Sequence, residues 1–437
     1  MSRKKQPLVL EFTEDKPGSF NLLIALRGRS PMAQSEVKIY RYRWVVLAAF
    51  MFVVAVNQLM WITFAAITGS AASYYGVSDL SIGLLSMSFM IVYIFVSIPA
   101  SWTIDTYGVL AGVGAGALLT GGFGLLRGFF SDSYSLVLLA QIGIAIGQPF
   151  ILNAITTIAA RWFPAGERAT ASGLGTLAMY LGIIAGVALT PYLALQFGIR
   201  NMLIGYGLLA AVAAVQFFIF VRERPATPPG PAEEEVRSLV FDGLRDSLRQ
   251  RDFQLTLAIF FVGLGVFNAV TTWIEDILRP RGLSIVEAGN VGGLMILGGI
   301  VGALIMPILS DRNRKRTPYL ILAILGATAG LSGVTFFRGY GLLLVSAFVF
   351  GFFLLSAGPI GFQYGAEVTH PTPEGTSNGM LLLMGQVSGI LFILGMDSLK
   401  AAQTGSMTLP LSLLIGLMIL ALVLSFRLRE PPNFLSG

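Results

Sequence analysis

Cysteine is absent from this chain of 437 residues, and histidine occurs once, as His370. The absence of cysteine excludes disulfides, thiolate catalysis and cysteine-based metal sites. The sequence also lacks a nucleophile paired with a base, a cluster of metal ligands and a phosphate-binding glycine loop. Its glycine-rich stretches lie in apolar segments, where small residues let helices approach closely. We therefore expect neither an enzyme nor a bound metal or cofactor.

Charged residues are also scarce. They make up 12% of the chain, against 55% hydrophobic residues, and the mean hydropathy is +0.76. A helix that crosses the hydrocarbon, ~30 Å thick, needs ~20 apolar residues, and runs of this length recur without the alternation typical of barrel strands. The pattern predicts an all-α polytopic membrane protein with twelve transmembrane helices. The approximate spans are 44–68, 80–103, 109–130, 134–161, 169–191, 199–221, 254–278, 287–310, 317–337, 340–368, 376–398 and 407–427.

The basic residues predict the orientation of these spans. No cleavable signal peptide is visible in the polar, basic N-terminal segment, and Met32 is an alternative start. Of the 29 lysines and arginines, 23 fall on the side of the N-terminus, which predicts that both termini are cytoplasmic and that the protein lies in the cell membrane. This charge flanks spans instead of forming one patch, so it does not indicate nucleic-acid binding. The six basic residues expected outside are Arg127, Arg200, Arg279, Arg281, Arg338 and Lys400.

A hydrophilic stretch divides the spans into two sets of six. Its proline-rich start is typical of a spacer, and from Glu233 onward apolar residues recur at helical spacing, which predicts an amphipathic helix on the membrane surface. The expected order is an N-terminal cytoplasmic segment, a six-helix bundle, a linker, a second six-helix bundle and a cytoplasmic tail. These occupy residues 1–43, 44–221, 222–253, 254–427 and 428–437.

The two halves repeat a short motif after their second span. The first copy, PASWTIDTYG, contains Asp105, and the second, MPILSDRNRKR, contains Asp311. A carboxylate at such a turn can cap a helix N-terminus and pair with an arginine, which would lock the cytoplasmic ends of two bundles that rock around a central site. Alternatively, both are ordinary loop acids. The candidate gating residues are Asp105, Asp311, Arg312, Arg316 and Glu367.

Several polar side chains fall near the middle of the predicted spans. Side-chain amides in hydrocarbon are unfavourable unless they are paired, so they indicate either hydrogen bonds between helices or a shared cavity. Their common depth in both halves favours a shared substrate site at the midplane. The candidate binding residues are Asn57, Gln58 and Trp61 in span 1, Gln148 in span 4, Tyr180 in span 5, Asn268 in span 7 and Gln386 in span 11.

No predicted span carries a charged residue at mid-depth. Proton-driven transporters usually need a titratable group within the membrane, so the sequence disfavours proton coupling. Glu275 and Asp276, at the outer end of span 7, are the candidates for coupling if the outer vestibule reaches them. An uncharged chamber that contains the Trp61 indole suits a cation, whose attraction to a ring face reaches ~2 kcal/mol when desolvated.

Four segments of the chain carry a family resemblance: NQLMWITFAAI, YYGVSDLSIGLLSMSFMIVYI, GQPFILNAITTIAARWF and GAEVTHPTPEGTSNGMLLLMGQVSGILF. They resemble the feline leukaemia virus subgroup C receptor family, the haem and choline transporters within the major facilitator superfamily. The resemblance implies a twelve-helix fold and facilitated movement of choline or ethanolamine, with haem export as an older attribution. It also implies that Trp61, Gln148 and Gln386 hold the quaternary ammonium group, while Asn268 replaces the tyrosine of the family.

The departure at Asn268 removes half of the aromatic cage. Tyr180 or Trp273 can supply another ring, or the substrate is a smaller amine or a zwitterion. The leading hypothesis is a uniporter of a small amine-containing metabolite. The alternatives are a proton-coupled exporter of amphipathic compounds, a haem exporter that uses His370, and a receptor or scaffold that transports nothing. Without a role in haem binding, His370 is expected to be an exposed loop residue. We expect a monomer in the lipid bilayer, with a small molecule as its partner.

Overall fold

The computed structural model describes residues 39–227, 247–370, 372 and 374–431. Most of the predicted linker helix and the alternative start at Met32 lie outside the described residues. Within them the chain forms helices and no strand. The helices are α1 (Arg43–Ile62), α2 (Thr68–Tyr75), α3 (Asp79–Tyr107), α4 (Val109–Phe129), α5 (Tyr134–Leu152), α6 (Ile155–Trp162), α7 (Ala165–Phe220), α8 (Arg251–Thr272), α9 (Ile274–Leu278), α10 (Ile285–Arg312), α11 (Thr317–Phe336), α12 (Tyr340–Thr369), α13 (Glu374–Ser398) and α14 (Thr408–Ser425), with 3-10 turns at Thr63–Ile67 and Arg279–Arg281.

Eleven helical segments of the described chain are long and apolar enough to cross a membrane. The longest belongs to α7, in which Gly198 interrupts the helix with φ 76° and ψ 159°. Glycine adopts this conformation readily because it has no Cβ. The predicted fifth and sixth spans lie on the two sides of Gly198, so one interrupted helix accounts for both. The prediction of an all-α polytopic membrane protein is confirmed.

Local signals in the sequence set several helix ends. The Ser78 hydroxyl accepts a hydrogen bond from the N–H of Ser81 and caps α3. At the start of α10, Ser284 and Glu287 form a reciprocal capping box. Gly76 ends α2 in the left-handed conformation that favours glycine.

The two ends of the helix bundle carry different chain segments. The linker side is the end where α1 begins and α7 ends, and it includes the loop 312–316; the distal side includes the loops 76–78 and 279–284. Helices of the first half, residues 43–227, pack mainly against one another, and so do those of the second half, residues 247–431. The two halves meet chiefly where α3 packs against α13 and where α7 packs against α10.

The same kind of carboxylate cap occurs in each of the two halves. The Glu223 carboxylate, just after α7, accepts hydrogen bonds of 3.0 and 2.8 Å from the first two N–H groups of α4. The Glu430 carboxylate, after α14, accepts bonds of 3.0 Å from the N–H groups of Arg316 and Thr317 at the start of α11. Negative charge is stabilised at a helix N-terminus, so each half ties its end to the start of its own third long helix.

Candidate functional site

The helix that carries the first candidate residues is interrupted on the distal side of them. After Ile62 the α-helical pattern gives way to the 3-10 turn, and α2 continues after Ile67. The Thr63 hydroxyl donates to the carbonyl of Leu59 at 2.7 Å, a local bond that bends helices. Trp61 therefore lies in the last turn before the break.

The three candidates of α1 are fixed by different neighbours. Asn57 donates from Nδ2 to the Thr120 hydroxyl of α4 at 3.0 Å, and Gln58 donates from Nε2 to Oδ1 of Asn57 at 3.3 Å. Trp61, which is 7% exposed, donates from Nε1 to the backbone carbonyl of Ser86 on α3 at 3.2 Å. The two amides are thus tied to α4, while the indole is tied to α3.

One face of α3 brings Trp61 close to the second half. Gly83 and Ser86 are one turn apart on this face, and a Cβ atom at Gly83 would come within 2.7 Å of the Trp273 ring. Trp273 is fully buried and donates from Nε1 to the Ile393 carbonyl at 3.2 Å. The Trp273 ring therefore fills the space beside Gly83 and closes the interface between the halves on the distal side of Trp61.

The same face of α3 reaches Asn268 through Met90. A Cβ atom at Gly389 of α13 would lie 2.8 Å from Sδ of Met90 and 2.9 Å from Nδ2 of Asn268. Asn268 donates from that atom to the Gly385 carbonyl at 3.1 Å, directly before Gln386. Ser86, which contacts Trp61, and Met90, which lies near Asn268, are four residues apart on α3, or ~6 Å along the helix. The contacts of α3 thus bring Trp61, Asn268 and the segment around Gln386 to one region.

The other candidates keep their polar groups available. Within the part of the chain that the structure describes, no hydrogen bond engages the side chains of Gln148 on α5, Tyr180 on α7 or Gln386 on α13. Gln148 is 7% exposed, and the other two are half-buried. No hydrogen bond joins Gln148 or Tyr180 to Trp61 or Asn268 among the described contacts. These three groups can therefore bond to another molecule without breaking a bond in the protein.

Five charged residues form a distal ion cluster between the halves: Asp79, Glu275, Asp276, Arg279 and Lys400. Lys400 Nζ lies 2.7 Å from Oδ2 of both Asp79 and Asp276. Arg279 lies 2.7 Å from Asp79 and also pairs with Asp276 and Glu275. Because only Asp79 belongs to the first half, its two ion pairs hold the halves together on the distal side.

The cluster is largely withdrawn from water, and burial governs its electrostatics. Asp276 is fully buried, and Glu275, beyond the span Arg251–Thr272, accepts a 3.0 Å hydrogen bond from the N–H of Gly69 in the first half. Burial raises the pKa of Glu275, while Arg279 and the Gly69 N–H act in the opposite direction. Burial opposes the charged form of Lys400, but hydrogen bonds to Asp276 and Asp79 raise its pKa overall. Coupling through Glu275 or Asp276 stays a prediction.

Close helix packing adds to the distal closure. A Cβ atom at Gly289 of α10 would come within 2.7 Å of the Val187 carbonyl oxygen and 3.0 Å of the Pro191 ring, both on α7. Such close backbone contact requires a residue without a side chain. This contact and the Trp273 plug were missed in the sequence, because either becomes visible only when the partner helix is known.

The predicted gating residues lie on the linker side. Arg316 pairs with Asp311 and with Glu367, the latter at 3.1 Å, and all three belong to the second half. Arg312 is exposed next to them, and Asp105 is exposed near the end of α3. A lock between the halves at these residues therefore stays a prediction. His370 is exposed at the end of α12, as expected of a loop histidine.

Arg127 differs from what its grouping with the outer basic residues suggested. It occupies the last turn of α4 and is fully buried. Its Nη1 donates to the Met60 carbonyl at 3.0 Å and to Oε1 of Gln141 at 2.7 Å. Because these partners belong to α1 and α5, the Arg127 side chain points between helices instead of into water. A charge within a glycine-rich apolar run is the signal that could have revealed this.

Comparisons with known proteins agree with this architecture. The model of the Major Facilitator Superfamily matches residues 48–393. The Choline/ethanolamine transporter flvcr2b of Danio rerio is 30% identical over 425 residues, which are 91% of this chain and 87% of that protein. The Uncharacterized MFS-type transporter C09D4.1 of Caenorhabditis elegans is 29% identical over 374 residues, 81% of this chain, and the chain spans 64% of its length.

A solved structure supports the fold independently. The bacterial homologue of the human lysosomal transporter Spinster, in an inward-facing and unoccupied conformation, superimposes with a TM-score of 0.69 over 91% of this chain and 97% of that chain, at 17% identity. The fold, the family model and the relative of 30% identity lead to one conclusion. The chain belongs to the major facilitator superfamily and, within it, to the feline leukaemia virus subgroup C receptor family.

Proposed function

We propose that the protein is an alternating-access uniporter of a small amine-containing metabolite such as choline or ethanolamine. The observation that carries this proposal is the position of the Trp61 indole. It lies just before the break in α1, donates a hydrogen bond to α3, and lies beside the face of α3 that reaches Asn268 of the second half. Substrate sites of such transporters lie near the midplane between the two repeats, where helices are interrupted. The name of the Danio rerio relative agrees with this substrate class.

The chemistry of the candidate residues fits a small cation. The Trp61 N–H is used by Ser86, which leaves the faces of the indole ring to attract a cation with ~0.5–2 kcal/mol. The carboxamide oxygens of Gln148 and Gln386 can accept hydrogen bonds from a hydroxyl or an ammonium group. The Asn268 side-chain N–H group already donates to the Gly385 carbonyl, and its side-chain oxygen is left to accept a hydrogen bond from a ligand. Ethanolamine, which has N–H donors, therefore suits this set better than choline.

Transport then requires the two halves to rock between two closed states. The distal ion cluster, the Trp273 plug and the α7–α10 contact hold one of these states. We propose that the linker side is cytoplasmic, that both termini lie there, and that the protein works as a monomer in the cell membrane. On this assignment the structure represents a state that is closed on the outer side of the membrane. In the opposite state, Asp105 and the Asp311–Arg316–Glu367 group would close the cytoplasmic side.

The test is uptake of radiolabelled ethanolamine and choline into proteoliposomes. Trp61→Ala should abolish uptake, because it removes the ring that attracts the cation. Trp102→Ala is the matched control, since Trp102 is exposed on the outer surface of α3, and it should leave uptake unchanged. Equal uptake by the wild type and Trp61→Ala, with both correctly folded, contradicts the proposed site. Wild-type uptake of neither amine contradicts the proposed substrate class.

The burial of Glu275 favours one alternative, a proton-coupled exporter of amphipathic compounds. This carboxylate bonds across the interface of the halves and has a raised pKa, so a proton could alter the distal closure. Proton coupling predicts that an imposed pH gradient drives transport and that Glu275→Gln together with Asp276→Asn removes this effect. A uniporter instead follows the substrate gradient alone in both proteins.

A further inference from the structure

The break in α1 exposes backbone carbonyls that receive side-chain donors. The Leu59 carbonyl accepts from the Thr63 hydroxyl at 2.7 Å, and the Trp61 carbonyl accepts from the Ser86 hydroxyl at 3.5 Å. In an uninterrupted α-helix the Met60 carbonyl would accept from the N–H of Phe64. Phe64 belongs to the 3-10 turn, whose N–H groups bond three residues back. The Met60 carbonyl therefore needs another donor.

Arg127 and Gln141 supply donors to the Met60 carbonyl. Arg127 reaches it from α4 at 3.0 Å, and Nε2 of Gln141 reaches it from α5 at 3.2 Å. The two side chains also bond to each other at 2.7 Å, and Nη2 of Arg127 lies 2.8 Å from Sδ of Met60. The guanidinium group further lies 5.6 Å from the Phe64 ring. Four contacts thus place one buried cation at the helix break.

The absence of a carboxylate makes this arrangement unusual. Among the described residues Arg127 takes part in no ion pair, and its Nε has no hydrogen-bond partner. A buried charge without a counter-charge is costly, and charged residues within membrane helices generally serve a function. Structural support alone would be met by an uncharged donor. The planar fork of arginine, in contrast, can hold the Met60 carbonyl and Gln141 in one fixed geometry.

The consequence for Trp61 follows from the peptide bond. The carbonyl of Met60 and the N–H of Trp61 belong to one planar peptide unit, so a fixed Met60 carbonyl fixes the backbone on one side of Trp61. Ser86 fixes the other side, through the Trp61 carbonyl and the indole N–H. We propose that Arg127 and Gln141 are positioning residues that set the orientation of the Trp61 ring from outside the site. The effect of this positioning on transport rests on the proposed function.

The orientation of the ring can be tested without any substrate. The full-length chain has five tryptophans, so growth with 5-fluorotryptophan gives a set of fluorine resonances, of which Trp61→Phe identifies that of Trp61. Arg127→Lys keeps the charge but loses the fork, and Gln141→Ala removes the second donor. We expect both to shift the Trp61 resonance and leave the other four unchanged. Arg200→Lys, at an exposed arginine of the distal side, is the matched control and should shift none.

Two results would overturn the proposal. One is an unchanged Trp61 resonance in both variants. The other is a shift of all the resonances together with a loss of thermal stability, because that result indicates a general structural role. If Arg127→Lys fails to fold, Gln141→Ala still decides the matter.

Transport gives the second measurement. With the ring misplaced, Arg127→Lys should raise the KM for ethanolamine or choline about tenfold while Vmax changes little, because the cation–π attraction is weakened. An unchanged KM contradicts the positioning role. If the wild-type protein takes up neither amine, the proposed substrate is wrong, but the fluorine resonances still test the positioning of Trp61.

Discussion

The distal side and the linker side of the bundle hold their charges in different ways. On the distal side, Lys400 and Arg279 of the second half both lie 2.7 Å from Asp79 of the first half. On the linker side, Arg161 pairs with Glu223 within the first half, and Arg316 lies 3.1 Å from Glu367 within the second. The first set joins the halves, and the second set holds each half in shape.

This difference separates two functions of charge in a rocking transporter. In the proposed alternating-access mechanism, ion pairs between the halves break when the protein changes state, so they would set the relative population of the states. Ion pairs and helix caps within a half can persist through the whole cycle, so they contribute to stability without favouring either state. The distal ion cluster is therefore expected to control conformation, and the linker-side pairs are expected to control folding.

The largest effect should come from Lys400→Met. This change leaves the buried Asp276 and the partly buried Asp79 with Arg279 as their shared cation. We expect the closed distal state to lose roughly 1–3 kcal/mol, less than the ~3–5 kcal/mol of a fully buried pair because Arg279 remains. Spin labels at Ser73→Cys and Arg338→Cys, exposed distal positions in opposite halves of a chain without native cysteine, report this as a second, longer distance.

The matched control for Lys400→Met is Asp132→Asn. Asp132 also lies on the distal side and forms an ion pair, at 3.2 Å from Arg200, but this pair is exposed and lies within the first half. The distance between the spin labels should not change. An identical shift in both variants, or in neither, would show that contacts across the halves do not govern the distal closure.

A smaller effect is expected from Glu223→Gln and Glu430→Gln on the linker side. Each change removes the charge of a helix cap, which should lower the free energy of unfolding by ~0.5–2 kcal/mol. Thermal unfolding should show a loss in both variants, and the larger loss in Glu223→Gln, because Glu223 also pairs with Arg161. The distal spin-label distance should stay that of the wild type. A longer distance in either variant would remove the distinction between the two sides.

The features predictable from the sequence are those that depend on local chain properties. The spans follow from the length of apolar runs, and counting along a helix placed Trp61 and Asn268 at similar depth. The interruption at Gly198 falls between the predicted spans 169–191 and 199–221, whereas the break after Ile62 carries no comparably clear local signal. The resemblance indicated the family from motifs such as the one that contains Gln386, and the comparisons confirmed it.

Contacts between distant segments were not predictable. Asp79 and Lys400 are separated by 321 positions, and each is an ordinary loop-proximal charge when the sequence is read alone. Arg127 was grouped with outer basic residues because its burial depends on α1 and α5, which supply Met60 and Gln141. The hydrogen-bond partner of the Trp61 indole is a backbone carbonyl, and because every residue carries one, the sequence cannot indicate it. Tertiary packing determines all three.

The smallest effect concerns Glu275, whose bond to Gly69 crosses the halves but whose burial works against its charge. Burial raises its pKa in the closed state despite Arg279 and the Gly69 N–H. If distal opening exposes this carboxyl to water, its pKa returns toward the ordinary value of 4.5. The proton then binds more tightly in the closed state, so protonation favours closure, by at most tenfold for each unit of pKa difference.

Lowering the pH from neutral toward 4.5 should therefore reduce the population with the longer distal distance. The background is Lys400→Met, in which that population is large enough to measure. Glu275→Gln, which cannot titrate, should reduce the pH dependence, and Asp276, whose pKa is also raised by burial, should supply the remainder; Asp132→Asn should retain it in full. An undiminished pH dependence in Glu275→Gln would assign it to another group. An increase of the open population at low pH would mean that the ionised Glu275, through Arg279 and Gly69, stabilises the closure more than burial opposes it.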